Sequence, residues 1–139
     1  MVAFGQATPT TPKCPEYDVR DLRCQLIEEE NLELEEAEHN IVSAFDAILD
    51  LLYVVLGSGI AYGISEEQIA KGLAEVHRSN MTKFWSMMEI DSEHFKEGYT
   101  YQRSNCERAC YVVKDSSGKI IKSPSYSPAN LGPILEGVK

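Results

Sequence analysis

Twenty-five residues from Asn40 to Ile64, "NIVSAFDAILDLLYVVLGSGIAYGI", run almost without a polar face, and they decide what the chain can become. A helix that is apolar on every side has to be covered on every side, by lipid or by other helices. Two acids in its first half, Asp46 and Asp50, and the Gly57-Ser58-Gly59 interruption fit the centre of a bundle better than a membrane span. Those acids need a cation or a donor, because an unpartnered carboxylate away from water is costly. The fold class expected is all-α: a helical bundle.

The preceding segment, Val19 to Glu38, has no Gly or Pro and is rich in strong helix formers. It contains "LIEEENLELEEAE", seven glutamates in thirteen residues. Stepping about 100° per residue from Leu22 at 0° places Leu26, Val19, Ala37, Leu34 and Ile27 on an arc from about 40° to about 140°. Glu33 falls at about 20° and Glu30 at about 80°, in phase with the apolar residues, while Glu28, Glu35 and Glu38 point away and Glu29 and Glu36 lie at the edge. In the next helix Asp46 and Asp50 are four apart, stacked on a face that continues through Tyr53, Gly57 and Ala61. The short link from Glu38 to Ile41 predicts an antiparallel hairpin in which carboxylates of both helices converge. Like charges that close require shared protons or divalent cations, and an oxygen-only set favours Mg²⁺ or Mn²⁺ over zinc. The same stripe would also arise from ion pairs with a partner helix, or from an arc centred half a turn away.

A third helix opens at Ser65, with Gln68 in the capping-box position and Ile69, Leu73 and Val76 on one face. His77, Arg78, Asn80 and Lys83 cluster at its end, which suits either the helix dipole or anionic phosphate oxygens. Beyond Phe84 the pattern has no clean period. "CYVVKDSSGKIIKSP" predicts a short hairpin turning at Ser117-Gly118, and a Pro-rich tail follows. The organisation expected is one domain over 1–139: an extended arm over 1–16, a helical catalytic core over 17–84, and an insertion, hairpin and tail over 85–139. Filling core is the commoner use of aromatics such as Phe84, Trp85 and Tyr53, and stacking on a planar ligand the rarer one.

A net charge of −9 disfavours binding to duplex nucleic acid, which rests on many Lys and Arg neutralising phosphates. It is compatible with a small phosphorylated ligand held through metal ions. Cys14, Cys24, Cys106 and Cys110 form no C-x-x-C pair and are expected as free thiols. The first seventeen residues lack the basic start and apolar core of a secretory signal, so a cytoplasmic protein is expected, without a membrane partner.

Three stretches resemble the all-α nucleoside triphosphate pyrophosphohydrolases, the MazG-like group that includes dimeric dUTPases and phosphoribosyl-ATP pyrophosphohydrolase. "QLIEEENLELEEA" is similar to the group's E-E-x-x-E-L helix at Glu29, Glu30 and Glu33. "DAILDLLYVVLGSGIAYGI" resembles its second acidic helix, and "EVHRSNMTKF" its V-H-R-S-N-M-S-K segment. "GKIIKSPSYSPANLGPIL" resembles the G-K-V-x-K-x-P-x-Y-x-P tail of short, often phage-encoded members. The likeness spans most of residues 22 to 83 and 118 to 135. Two departures stand out: the group's pattern is E-x-x-D, but Ala47 lies three before Asp50 and the nearest acid is Asp46, and Trp85 to Tyr111 looks like an insertion.

The resemblance implies hydrolysis of a nucleoside triphosphate between the α and β phosphates, giving a monophosphate and pyrophosphate. Glu30, Glu33 and Asp50, with Asp46 as the nearest fourth acid, would bind two or more Mg²⁺ or Mn²⁺ ions. Glu29 would be a further ligand or would activate water beside Glu30. Asn80, Lys83 and Arg78 would hold phosphate. The compact form is compatible with the phage branch MazZ, which acts on guanine nucleotides; removal of dUTP, dCTP or damaged nucleotides fits the same residues. Family members assemble as dimers or dimers of dimers, so a homodimer or homotetramer is expected. The competing class is a non-enzymatic helical interaction protein whose acids pair with a partner.

Overall fold

In the computed structural model, residues 8–105 and 109–136 are described. The elements in chain order are α1 (Tyr17–Glu36), α2 (Ile41–Ala61), α3 (Glu66–Met81), α4 (Met87–Ile90), β1 (Thr100–Arg103), β2 (Tyr111–Lys114), β3 (Ile120–Ile121) and α5 (Gly132–Glu136). Three long helices and a small C-terminal sheet match the all-α expectation with its hairpin. The chain forms two compact units, Met1–Ile69 and Ala70–Lys139, dividing inside α3.

In the first unit α1 packs on α2. The packed stripe of α1 consists of buried Arg23 and half-buried Leu26, Ile27, Glu30, Leu34 and Ala37. On the wheel these positions span about 40° to about 140°, so the arc expected from sequence is correctly centred. It is smaller than expected, since Leu22 and Glu33 lie exposed on its rim and Val19, at about 60°, is exposed in the first turn of the helix. Facing it, α2 buries Ala47, Val54 and Ala61 at heptad intervals, small side chains that let the two backbones come close.

Arg23 sits in that contact, 7 % exposed. Its Nε donates to Ser58 Oγ at 3.1 Å and Nη2 donates to the Val54 carbonyl. A Cβ on Gly57 would fall 2.6 Å from Nη2, so the Gly57-Ser58 interruption is the seat of a guanidinium. Asn40 caps α2, its side chain accepting from the N–H groups of Val42 and Ser43. Ser65 and Gln68 form the reciprocal cap expected for α3: Gln68 N–H donates to Ser65 Oγ, and Ser65 N–H donates to the Gln68 amide oxygen.

Of the expected arm over 1–16, residues 1–7 lie outside the described residues; residues 8–16 form no helix or strand and reach the end of α2, where Lys13 N–H donates to the Tyr62 carbonyl at 3.0 Å. Gly63 turns the chain there at φ 70°, and a Cβ on it would come within 2.2 Å of the Thr11 carbonyl oxygen.

The second unit is built on an antiparallel sheet in the order β1-β2-β3. Trp85, Ile90 and Val113 are its core, with Phe95, Tyr99, Tyr111 and Ile121 packed around them. Trp85 is 2 % exposed and its indole N–H donates to the Ile121 carbonyl at 3.0 Å. Edge-to-face contacts run from Trp85 to Phe95, from Phe95 to Tyr99 and Tyr101, and from Tyr101 to Tyr111. The stretch that reads as an aperiodic insertion therefore supplies this unit's core and its first strand. The hairpin at Ser117-Gly118 is present as β2 and β3, closed by Asp115 and Gly118 at φ 83°.

Glu89 ties the tail to α4. It accepts from Ser86 N–H and the hydroxyls of Ser86, Ser123 and Ser125 at 2.7 to 2.9 Å. Burial works against its charge, but these hydrogen bonds prevail and hold the carboxyl down at about 2. Cys14 and Cys24 are exposed free thiols, whereas Cys110 is disulfide-bonded, against the expectation of a free thiol. Cys106 lies outside the described residues.

Gly63→Ala combines a strained φ with a steric overlap on the arm. Thermal or urea unfolding is expected to show a loss of about 2 kcal/mol or more, whereas the same change at open Gly72, inside α3, should stabilise by up to about 1 kcal/mol.

Candidate functional site

Glu30 lies at the middle of the packed face of α1, half-buried between Ile27 and Leu34. Its carboxyl is pushed up from the ordinary glutamate value, first by burial and then by the negative charges of Glu33, Asp50, Glu29 and Asp46. The five acids singled out in the sequence therefore share one field. Glu33 and Glu29 come from the same helix, Asp50 and Asp46 from the facing one, and all four are exposed around the half-buried Glu30.

The register follows from Arg23. With Arg23 opposite Val54 and Ser58, an antiparallel partner places Glu30 opposite Asp50 and Asp46. Ala47 is 4 % exposed in the α1 contact. The position where an E-x-x-D pattern would carry an acid is thus occupied by a packing residue, and Asp46 at the rim is the nearby carboxylate.

Among the described residues no three Asp, Glu, His or Cys side chains stand in a ligating arrangement. The donor set nonetheless suits a hard divalent cation: carboxylate oxygens only, from two helices, mutually repelling around one carboxyl. Glu30 accepts no hydrogen bond among the described residues, so its oxygens are not already committed to holding the fold together.

Arg23 was not singled out from sequence. Seven residues before Glu30 on the same stripe, it lies about 10 Å along the helix from the acids. Its flanking residues in "DLRCQ" read as a wet surface; the only sequence signal is the glycine of the facing helix.

The donors expected for phosphate lie in the second unit. Arg78 is engaged: Nε and Nη2 donate to Glu75 at 2.7 and 2.9 Å, and Nη2 also donates to the Pro128 carbonyl at 3.1 Å. Asn130 N–H donates to the same Glu75 carboxylate. The Arg78 fork, with that N–H, holds the Glu75 carboxyl at about 2. Asn80 and Lys83 line a cleft of about 330 Å³ together with Met81, Phe84, Val112 and Ile120. A larger open cleft of about 870 Å³ is lined by Met81, Phe84, Met88 and Glu89, among others. Of the base-stacking candidates, Trp85 serves the core at 2 % exposed and Tyr53 stands out from α2 at 71 %.

A family model described as phosphoribosyl-ATP pyrophosphohydrolase matches residues 1–80 of the 139, a span that takes in both acidic helices. No curated protein matches the chain.

Removing the charge at the centre of the acidic field should relieve repulsion. Glu30→Gln is expected to raise the melting temperature of the protein in EDTA at pH 7. A carboxyl whose folded pKa is raised disfavours the fold while charged, so the gap between variant and wild type should close as pH falls through that raised value toward 4.5. A lower melting temperature for the variant at pH 7 would show that Glu30 is not under repulsion.

Proposed function

Since this chain belongs to the phosphoribosyl-ATP pyrophosphohydrolase family, and is a hydrolase acting on the phosphorus anhydrides of a nucleotide, we propose that its substrate is a nucleoside triphosphate cut between the α and β phosphates. The products are a monophosphate and pyrophosphate. The observation that carries this reading is the raised carboxyl of Glu30, half-buried among four further acids and holding no hydrogen bond of its own. A field of that kind suits Mg²⁺, with Mn²⁺ as a substitute.

Glu30, Glu33 and Asp50, with Asp46 at the rim, would hold the ions, two or more of them. Bound there, they would neutralise phosphate charge and lower the pKa of a water. Glu29, next to Glu30, would accept the proton that the water loses as it adds across the anhydride. Asn80 and Lys83 are the proposed donors to the outer phosphate oxygens, while Arg78, whose fork donates to Glu75 and to the Pro128 carbonyl, is proposed to hold the tail. Tyr53 is the proposed contact to the base, and dGTP or GTP is the favoured substrate by the likeness to short phage-encoded members. The house-cleaning alternative, dUTP, dCTP or a damaged nucleotide, uses the same residues.

A homo-oligomer is part of the proposal. On α2, Ile41, Phe45 and Leu52 are 80, 60 and 52 % exposed, and only 11 % of its most apolar window is buried within the chain. By length and composition α2 would pass as a membrane span, but Asp46 and Asp50 beside Glu30 favour cover by further copies of the chain.

Pyrophosphate release from a panel of ribo- and deoxyribonucleoside triphosphates is expected to require Mg²⁺ or Mn²⁺ and to single out one base. Glu33→Gln and Asp50→Asn should each lower kcat/KM by about a hundredfold or more, the scale of losing a metal ligand or the residue that orients it. Metal-dependent release that is absent from wild type on every nucleotide would end this reading. Light scattering should return a mass of two or four chains; a monomer, or recovery only with detergent, would sink the oligomer.

A further inference from the structure

The tail is fastened along the end of α3 by several hydrogen bonds besides those of Glu75 and Arg78. Ser123 N–H donates to the Lys83 carbonyl at 3.2 Å, Ser127 N–H to Thr82 Oγ1 at 2.9 Å, and Ser79 Oγ to the Tyr126 hydroxyl at 3.2 Å. Ser79 is buried and Tyr126 half-buried, so this phenol is fixed in place. Lys122 lies over the Tyr126 ring with Nζ 4.3 Å from its centroid. The Tyr126 hydroxyl is made more acidic, first by the Ser79 hydrogen bond and then by the charges of Lys122 and Lys83, with burial opposing.

Lys122 thus sits against the Tyr126 phenol, and the charge of Lys83 also reaches it, in a chain of net charge −9. Among the described residues neither lysine pairs with a carboxylate, although acids outnumber bases 22 to 13. Glu75 and Glu89, the carboxylates that touch the tail, are taken up by Arg78 and by serine hydroxyls. Lys83 also lines, with Asn80, the 330 Å³ cleft. The Ser79 and Tyr126 hydroxyls share one hydrogen bond, and each hydroxyl has a further hydrogen-bonding capacity beyond it. Lys83 and Asn80 line that cleft, and Lys122 and Tyr126 lie on the tail that is hydrogen-bonded to Lys83, so this end of α3 carries two cations, an amide and a phenol suited to a ligand with several anionic oxygens.

We propose that Lys122 and Tyr126 of the tail, together with Lys83 and Asn80, bind the pyrophosphoryl group of the nucleotide. This rests on the nucleotide reading given above and adds two binding residues to it. Arg78 and Glu75 are positioning residues here, since they fix the backbone at Pro128 and Asn130 just beyond Tyr126.

The test is calorimetric titration of the full chain with inorganic pyrophosphate in EDTA, which removes any binding through ions at the acidic helices. Wild type should bind. Lys122→Met should weaken binding about tenfold, the scale of one charge-assisted hydrogen bond, and Lys122→Arg should restore most of it. Tyr126→Phe should weaken binding severalfold, with melting curves confirming that the tail stays folded. Lys96→Met, which removes a charge from an exposed loop, should bind as wild type does. No binding by wild type, no change in Lys122→Met, or equal weakening in Lys96→Met would overturn the proposal. Because the readout is binding, an inactive wild type that still shows the Lys122 and Tyr126 effects would defeat only the hydrolysis reading. Active wild type with an unchanged KM in Lys122→Met would defeat only this inference.

Discussion

The close approach of α1 to α2 is the constraint on which the first unit depends. Ala47, Val54 and Ala61 give α2 a narrow face with little side chain on it, and the Arg23 guanidinium enters where Gly57 has no side chain at all. That contact fixes the register. Once Arg23 is opposite Val54 and Ser58, Glu30 has to lie opposite Asp50, and the acids gather whether or not their charges agree. Burying an Arg against a hydroxyl and a carbonyl is an expensive way to lock two helices, which suggests that register matters here more than stability. The consequence is a half-buried glutamate among four other carboxylates, an arrangement that packing imposes and that a divalent cation would relieve.

Helical phase made much of this legible before any coordinates. Glu30 at about 80° falls midway between Arg23 at about 100° and Ala37 at about 60°, so the wheel identified the inward glutamate in a run of seven. It overreached at Leu22 and Glu33, which lie toward the rim of the arc, where a few tens of degrees separate covered from exposed. Arg23 escaped because an arginine in a charged helix reads as wet surface, and only the facing glycine marks its seat. The cap at Ser65 and Gln68 was readable because it is local: two side chains, three residues apart, exchanging backbone hydrogen bonds.

The second unit was much less legible, and for a physical reason. Its core is Trp85, Ile90 and Val113, from which a chain of edge-to-face aromatics runs through Phe95, Tyr99, Tyr101 and Tyr111, and the spacing of these residues follows neither helical nor strand periodicity. Strands of four, four and two residues are too short to establish an alternation, so β1 left no pattern while the Ser117-Gly118 turn did. The capping box of Ser86 and Glu89 obeys the same local rule as that of α3. It is hidden only because the helix it opens is four residues long.

Three glutamates show how one residue type divides between structure and chemistry. Glu75 and Glu89 sit at about 2, their oxygens filled by an arginine fork, backbone N–H groups and serine hydroxyls, and each ties the tail to a helix. Glu30 moves the other way, has no donor, and faces only like charge. A carboxylate satisfied by the fold has no oxygen left to offer, whereas one that the fold holds against repulsion is stabilised by whatever positive group arrives. By that criterion the acids at α1 and α2 are the ones proposed to hold metal ions. The glutamates of the second unit are fasteners, and what that unit leaves unsatisfied is positive: Lys83 and Lys122, whose charges reach Tyr126 with no carboxylate to meet them.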